Sequence, residues 1–192
     1  MSKKRAAGIA VPLLIVVVII VILFSWFIRT RNSIIVIDEE VNAAWSEVGN
    51  QLQRRSDLIP NLVETVKGFA GQEQEVFSAI ADARARLAGA GSVQETAEGY
   101  TELNSALSRL MVIVENYPEL KSNENFIRLQ DELAGTENRI AVARKRYNDS
   151  VRVFNTKIRV FPGSIVANRA GFEARDYFEV PEEAMTVPKV QF

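Results

Sequence analysis

Residues 9–28 read IAVPLLIVVVIIVILFSWFI, a run of twenty residues without one charged side chain. At about 1.5 Å of rise per residue, the run makes about 30 Å of helix, which matches the hydrocarbon core of a bilayer. A proline falls in the first turn, where its missing N–H matters least, and aromatic rings fall near the far interface. The run therefore predicts a transmembrane helix. Its anchor residues are Ile9, Pro12, Leu14, Ile20, Phe24, Trp26 and Ile28.

Two other interpretations compete with a permanent anchor. A cleaved signal peptide needs an apolar stretch of about 7–15 residues followed by a small-residue cleavage site. This run is longer and ends in Trp26-Phe27-Ile28-Arg29. A buried core helix of a soluble protein is seldom apolar on all sides over such a length. We therefore expect an uncleaved, single-pass anchor in the cytoplasmic (inner) membrane.

Charges around the run predict its orientation. Residues 1–8 form a short basic tail with Lys3, Lys4 and Arg5, and the α-amino group adds a further charge. Arg29 and Arg31 follow the run, so the excess of positive charge before it is small. Because cytoplasmic flanks carry more Lys and Arg, we expect a cytoplasmic N-terminus and a body on the outer or periplasmic side.

The composition excludes several classes of function. The chain has no cysteine and no histidine, which removes disulfides, thiol catalysis, histidine-based metal ligation and imidazole general bases. Residues 29–192 hold 20 basic and 24 acidic side chains, so no nucleic-acid partner is expected. No catalytic constellation is recognisable. We predict no enzyme activity, no catalytic residue, no metal site and no cofactor.

The body of the chain has the hydrophobic periodicity of helices. Apolar residues recur every three or four positions after the anchor, unlike the alternation that is typical of strands. Asp57 and Pro60 interrupt the first stretch and favour a new helix, with Asp57 as the N-cap and Pro60 in the first turn. The sequence thus predicts helices over about 33–56 and about 58–88. One long kinked helix across both is the alternative.

Two further helices complete the pattern. Residues 89–91, Gly-Ala-Gly, are a helix stop, and Ser92 with Glu95 forms a capping box that opens the third helix. Pro118 ends that helix. The last helix follows the three-four rhythm over about 36 residues, as far as Phe161.

These helices predict the domain organisation. Because connections this short place successive helices antiparallel, residues 29–161 predict an all-α, up-and-down four-helix bundle behind the membrane helix. Residues 162–192 form a C-terminal tail, because Pro162 and the later Gly and Pro residues prevent a long helix. The tail is expected to make a short helix and then an extended strap that ends with Val190 and Phe192.

Two blocks of sequence match a known family pattern. The first contains AWS at residues 44–46 and DLIPNLVETVKG at residues 57–68. The second contains RYN at 146–148, FN at 154–155 and GF at 171–172. Together they resemble the LemA family of bacterial membrane proteins over nearly the whole chain. The resemblance implies a helical bundle behind one N-terminal membrane helix in a family without a generally established activity. One branch takes part in forming magnetosome membranes, and others are encountered beside envelope proteases.

Seven residues of the first block are candidates for interaction. They are Trp45, Arg54, Arg55, Asp57, Pro60, Asn61 and Lys67. The arginines with the aspartate favour either an anion or acidic-partner contact at a helix N-terminus, or an internal salt bridge and cap. The internal salt bridge is the favoured interpretation. Trp45 lies on the apolar stripe and is expected in the core.

The C-terminal strap has two interpretations as well. Val190 and Phe192 alternate with polar residues, a pattern that would add as a strand to a groove that captures a terminal carboxylate. They would otherwise pack onto the bundle of their own chain, which is the favoured interpretation.

The sequence therefore indicates a non-enzymatic, membrane-anchored helical scaffold that self-associates and organises membrane or envelope protein assemblies. Copies tethered in a bilayer meet at high effective concentration, which lets weak contacts between coiled-coil-like seams form oligomers. The alternative is an adaptor or regulator of a membrane protease or sensor protein in the cell envelope. The expected partners are the lipid bilayer, further copies of the chain and an envelope protein.

Overall fold

A computed structural model describes the backbone of residues 2–179 and the side chains of residues 13–179. Over this range the protein has six helices and no strand, which confirms the prediction of an all-α chain. The helices are α1 (Ser2–Lys67), α2 (Gln74–Gly89), α3 (Val93–Val114), α4 (Pro118–Lys121), α5 (Glu124–Arg159) and α6 (Gly163–Ala170). The C-terminal residues Val190 and Phe192 lie outside the described residues, as do the side chains of Ile9 and Pro12.

The boundary predicted near Pro60 is wrong. Separate helices over about 33–56 and about 58–88 are not formed, because α1 is helical without interruption to Lys67. The chain turns at residues 68–73 instead, before α2 begins. The alternative was one kinked helix across both stretches. It is correct as far as Lys67, but the chain leaves the helix at residues 68–73.

Burial explains why α1 continues past Pro60. A proline inside a helix removes one backbone hydrogen bond and costs about 3 kcal/mol. The helical stripe around it is fully buried at Ile59, Leu62 and Val66. Because burying each such side chain contributes about 1.5–3 kcal/mol, packing of the continuous helix outweighs the lost hydrogen bond.

The apolar part of α1 is exposed along its length. Leu14, Ile20 and Phe24 are each more than half exposed, and Trp26 and Ile28 are exposed as well. Among the described residues, α1 is the helix that is long and apolar enough to cross a membrane, and none of its most apolar window is buried. A core helix of a soluble protein would be mostly buried, so the exposure of this helix does not fit that interpretation.

The described chain forms two compact units. The first takes in the chain up to Val41 together with Arg152–Arg175, and the second takes in Asn42–Val151 together with the residues from Asp176 onward. In the first unit, the buried hydrophobic side chains come from α1, the end of α5 and α6. They are Ile34, Val41, Phe154, Ile158, Val166 and Ala167.

A tight corner joins α5 to α6 in the first unit. Gly163 begins α6, and a Cβ atom at this position would overlap the carbonyl oxygen of Lys157. Only glycine fits such an approach of the backbone to itself. The stop predicted at Pro162 and Gly163 therefore has a steric cause, in addition to the missing N–H of proline.

A hydrophobic cluster of the second unit takes buried side chains from α1, α2, α3, α4 and α5. Its fully buried members include Ile59 of α1, Ile80 of α2, Leu110 of α3, Leu120 of α4 and Phe126 of α5. Residue 99 is glycine where α2 and α3 approach, because a Cβ there would lie 3.0 Å from the Cα of Leu87.

The cap predicted at Ser92 is confirmed, whereas the N-cap predicted at Asp57 is wrong because Asp57 lies inside α1. Ser92 Oγ accepts a hydrogen bond of 3.1 Å from the Glu95 N–H, and Glu95 Oε2 accepts one of 2.7 Å from the Gly91 N–H. Asn123 Oδ1 accepts from the N–H groups of Asn125 and Phe126 and so opens α5. Each cap satisfies backbone donors that the first turn of a helix leaves without partners.

Candidate functional site

A buried arginine joins three helices in the second unit. Arg55 of α1 is 8% exposed, and its Nη1 atom lies 2.5 Å from Glu137 Oε2 of α5. Its Nη2 atom donates a hydrogen bond of 2.9 Å to Asn104 Oδ1 of α3. Because a buried guanidinium is costly without partners, these contacts lock the register of the three helices at this level.

Tyr100 of α3 completes the network around Glu137. The Tyr100 hydroxyl donates a hydrogen bond to Glu137 Oε1, so the two carboxylate oxygens take different partners. Burial raises the pKa of Tyr100 above its usual value, and the hydrogen bond to Glu137 raises it further. The phenol therefore stays neutral over a wider pH range than a free tyrosine does.

The raised pKa of Tyr100 predicts a loss of stability in alkali. The folded protein holds the phenol proton more tightly than the unfolded chain does. The stabilisation is therefore complete below about pH 10 and is lost as pH rises through the higher folded pKa. We expect Tyr100→Phe to lower the free energy of unfolding by about 1.5–3 kcal/mol at neutral pH, the value of a hydrogen bond to a charged group.

Above about pH 10, the free energy of unfolding of Tyr100→Phe should fall less steeply than that of the unsubstituted chain. Chemical denaturation of the detergent-solubilised chain across this range measures the slope. Tyr177→Phe is the matched control, because Tyr177 is exposed. Parallel slopes for the unsubstituted chain and Tyr100→Phe would contradict this assignment.

An open groove of about 520 Å³ lies beside the network. Its lining combines the polar groups of the network with apolar side chains from α3 and α5. The lining residues are Arg55, Asn104, Leu107, Ser108, Met111, Gln130, Asp131, Leu133, Ala134 and Glu137. Arg55 already bonds to both Asn104 and Glu137, so these contacts serve to hold helices together.

An aromatic cluster forms a second feature of this unit. The ring of Phe178, which is 1% exposed, lies 6.2 Å from the rings of Trp45 and Tyr100. Trp45 also contacts Tyr147 at a centroid distance of 5.0 Å. The Arg144 guanidinium lies 4.8 Å from the centre of the Phe178 ring, within reach of a cation–π interaction.

Hydrogen bonds hold the backbone on which Phe178 sits. Asn148 donates to the Phe178 carbonyl at 3.1 Å and accepts from the Phe178 N–H at 2.9 Å. The Tyr147 hydroxyl donates to the carbonyl of Asp176 at 2.8 Å. These bonds satisfy the polar groups of an extended segment that would otherwise lose water without compensation.

In the first unit, an asparagine of α5 also binds the backbone of the segment after α6. Asn155 donates to the Arg175 carbonyl and accepts from the Arg175 N–H, both at 2.9 Å. The Arg175 guanidinium in turn pairs with Asp38 of α1 at 2.9 Å. Asn148 and Asn155 belong to the family-like pattern but were assigned no role from the sequence. Their spacing of seven positions on α5, which places both on one helix face, is the signal that would have singled them out.

The structure does not bring the sequence-predicted residues into one site. Trp45 lies in the aromatic cluster, and Arg55 forms an internal ion pair with Glu137 instead of Asp57. Arg54 is exposed, and Asp57 accepts a hydrogen bond from its neighbour Gln53.

The remaining residues of this group lie in α1 after Asp57. Pro60 is half-buried inside α1, and Asn61 is exposed. Lys67 pairs with Glu64 at 2.8 Å and lies 5.6 Å from the centre of the Phe77 ring. No cluster of three or more acidic side chains suited to a metal ion occurs among the residues that the structure describes.

These features define a class of protein: an all-helical chain whose exposed, apolar N-terminal helix fits a membrane location. The LemA family model matches residues 44–192, and the chain belongs to the LemA family.

The chain is similar to curated relatives that are named as magnetosome and LemA proteins. The chain is 26% identical over 174 residues to magnetosome protein MamQ 2 of Paramagnetospirillum magneticum and 27% identical over 173 residues to magnetosome protein MamQ of Magnetospirillum gryphiswaldense. Each alignment covers 77% of this chain and 64% of the relative, so the chain spans less than two thirds of their length. Protein LemA of Metamycoplasma hominis is 24% identical over 145 residues, which cover 74% of this chain and 66% of that protein.

Proposed function

We propose that this protein is a non-enzymatic, membrane-anchored helical scaffold that self-associates and organises membrane or envelope protein assemblies. One observation carries the proposal. The helical backbone of α1 is continuous from the apolar run to Ile34, the first fully buried residue of the body. No flexible joint separates the anchor from the packed helices at this point, so copies in one membrane present the same surface to each other at high effective concentration.

The proposed architecture of the body is an antiparallel four-helix bundle. Two contacts of the second unit support it: Trp45 packs on Tyr147, and Arg55 pairs with Glu137. Residue numbers thus rise along α1 as they fall along α5. The short connection between α2 and α3 favours the same arrangement for that pair.

The polar network supports a structural role for the body. Arg55, Tyr100 and Glu137 are the side chains whose burial and charge would make them candidates for chemistry. The terminal nitrogens of Arg55 and the Tyr100 hydroxyl are directed at Glu137 and Asn104, whereas Arg55 Nε is buried without a hydrogen-bond partner among the described residues. Contacts between side chains of three helices hold those helices in place, which is what a scaffold requires.

The relatives support the membrane setting of the proposal. Two of them are named as magnetosome proteins, and the LemA family model covers most of this chain. For this chain we propose the inner membrane, with a cytoplasmic N-terminus and the body on the outer side. Protease treatment of intact spheroplasts tests the orientation: the body should be digested without lysis, and protection of the body would reverse the assignment.

Particle mass tests self-association. We expect the full-length chain in mild detergent to have the light-scattering mass of several copies, and cross-linking in cells to join copies of the chain. A fixed-ratio complex with a different envelope protein, without copies joined to each other, would favour the adaptor instead. A monomer in detergent that forms no cross-links between copies would overturn the scaffold.

A further inference from the structure

The corner between α5 and α6 exposes large apolar side chains. Val160 is 50% exposed, Phe161 78% and Ile165 52%. All three belong to the first unit and lie within one stretch of six residues, on either side of the tight turn at Gly163. Exposed apolar side chains that lie close together on a protein surface mark a site that binds a membrane or another protein.

The stretch of chain that forms the corner, residues 150–172, carries charge of one sign. No acidic residue occurs from position 150 to position 172, whereas Lys157, Arg159 and Arg169 flank the exposed apolar residues. The stretch of α1 that follows the apolar run carries Arg29 and Arg31 and has no acidic residue before Asp38. Exposed apolar residues beside basic side chains are typical of surfaces that bind anionic lipid headgroups.

The corner and the anchor belong to the same compact unit. Val166 and Ala167 of α6 are fully buried there, as is Ile34 of α1. Ile34 lies six residues after the end of the apolar run, which is about 9 Å along the helix. Helix α6 therefore belongs to the same packed unit as the stretch of α1 that follows the membrane segment.

We propose that the α5–α6 corner inserts into the interface of the bilayer that α1 spans. Phe161 and Ile165 enter the boundary between headgroups and acyl chains, and Lys157, Arg159 and Arg169 bind anionic headgroups. The proposal rests on the membrane anchoring of the proposed function. It adds a second, lipid-dependent attachment that holds the first unit against the membrane surface.

A fluorescent label at the corner tests the proposal in the full-length chain. The protein has no cysteine, so Ser164→Cys provides a single labelling position between Phe161 and Ile165. The chain carries an environment-sensitive dye at this position and is reconstituted into phosphatidylcholine vesicles that contain phosphatidylglycerol. We expect blue-shifted emission and about a twofold loss of fluorescence when the lipids are replaced by brominated ones.

Two labelled controls define the depth scale. Phe24→Cys lies in the apolar run and should be strongly quenched by brominated lipid. Ser105→Cys is a matched serine substitution at an exposed position of α3 and should keep its fluorescence. Equal quenching at positions 105 and 164 would overturn the assignment to the corner.

Charge and apolar variants separate the two parts of the attachment. Phe161→Glu with Ile165→Glu should abolish quenching of the dye at position 164, whereas Val112→Glu, at a residue that is 68% exposed in α3, should not change it. Neutralising Lys157, Arg159 and Arg169 to glutamine should remove the difference between vesicles with and without phosphatidylglycerol. Quenching that is the same in both vesicles for the unsubstituted corner would overturn the role of headgroup charge.

The failure of this inference is distinguishable from the failure of membrane anchoring. Water-like emission from the dye at position 164, with strong quenching of the dye at position 24, would overturn the corner contact and leave the anchor in place. Water-like emission at both positions would overturn the anchor as well. Helical circular dichroism of each variant shows whether it is folded.

Discussion

Replacing Phe178 by alanine should lower the free energy of unfolding by about 3–5 kcal/mol, the range for a buried phenylalanine whose removal leaves a cavity. The ring is 1% exposed and lies against Trp45, Tyr100 and Arg144. Its loss removes apolar burial, two aromatic contacts and a cation–π contact together. Urea denaturation of the full-length chain in detergent, followed by circular dichroism, measures the change.

The adjacent residue is a matched control for Phe178→Ala. Tyr177 belongs to the same extended segment but is 38% exposed. Tyr177→Ala should therefore change the free energy of unfolding by about 0.5 kcal/mol, as is usual for surface substitutions. Equal effects of the two substitutions would contradict the packing of Phe178 in the aromatic cluster.

The second large effect is expected at the buried ion pair. Glu137→Ala leaves the Arg55 guanidinium buried without its carboxylate, a change that costs about 3–5 kcal/mol in a fully buried pair. The Glu137 side chain is 41% exposed, so water from the groove will replace part of the interaction. We therefore expect a loss of about 2–3 kcal/mol in the free energy of unfolding, measured by urea denaturation.

An exposed pair of the same chemistry is the control. Arg86 and Glu102 join α2 and α3 at 2.7 Å, with both side chains more than 40% exposed. Glu102→Ala should cost about 0.2–1 kcal/mol. The double variant Arg55→Met with Glu137→Leu should recover most of the stability that Glu137→Ala loses, because it leaves no buried charge. A loss from Glu137→Ala no greater than that from Glu102→Ala would show that Arg55 does not depend on its carboxylate.

Features that depend on neighbouring residues were predicted well. The cap at Ser92 and the apolar character of residues 9–28 follow from groups within one or two turns of each other, and the structure has both the cap and a continuous apolar helix. The boundary at Pro60 failed for a physical reason. A local rule assigns proline to the first turn, but fully buried side chains on both sides outweigh the missing hydrogen bond.

The polar and aromatic contacts required the folded chain. Arg55 continues the apolar stripe of α1 between Leu52 and Ile59 and is buried, whereas its neighbour Arg54 is exposed. The stripe does not indicate the partners of Arg55, because Asn104 and Leu133 lie 49 and 78 positions away. The sequence predicted Trp45 in the core, and the structure has it half-buried in the aromatic cluster. Phe178, which packs against it, gave no periodic signal because it follows the last helix.

Hydrophobic periodicity, uncharged length and capping residues were sufficient to establish an all-helical chain with a membrane-type segment, because helices depend on bonds between residues four positions apart. The pairing of Arg55 with Glu137, the insertion of Phe178 and the exposure of the α5–α6 corner emerged only on folding. Each depends on which side chains from distant parts of the sequence pack together. A contact such as that of Asp38 with Arg175 joins residues 137 positions apart, so the local pattern of residues does not indicate it.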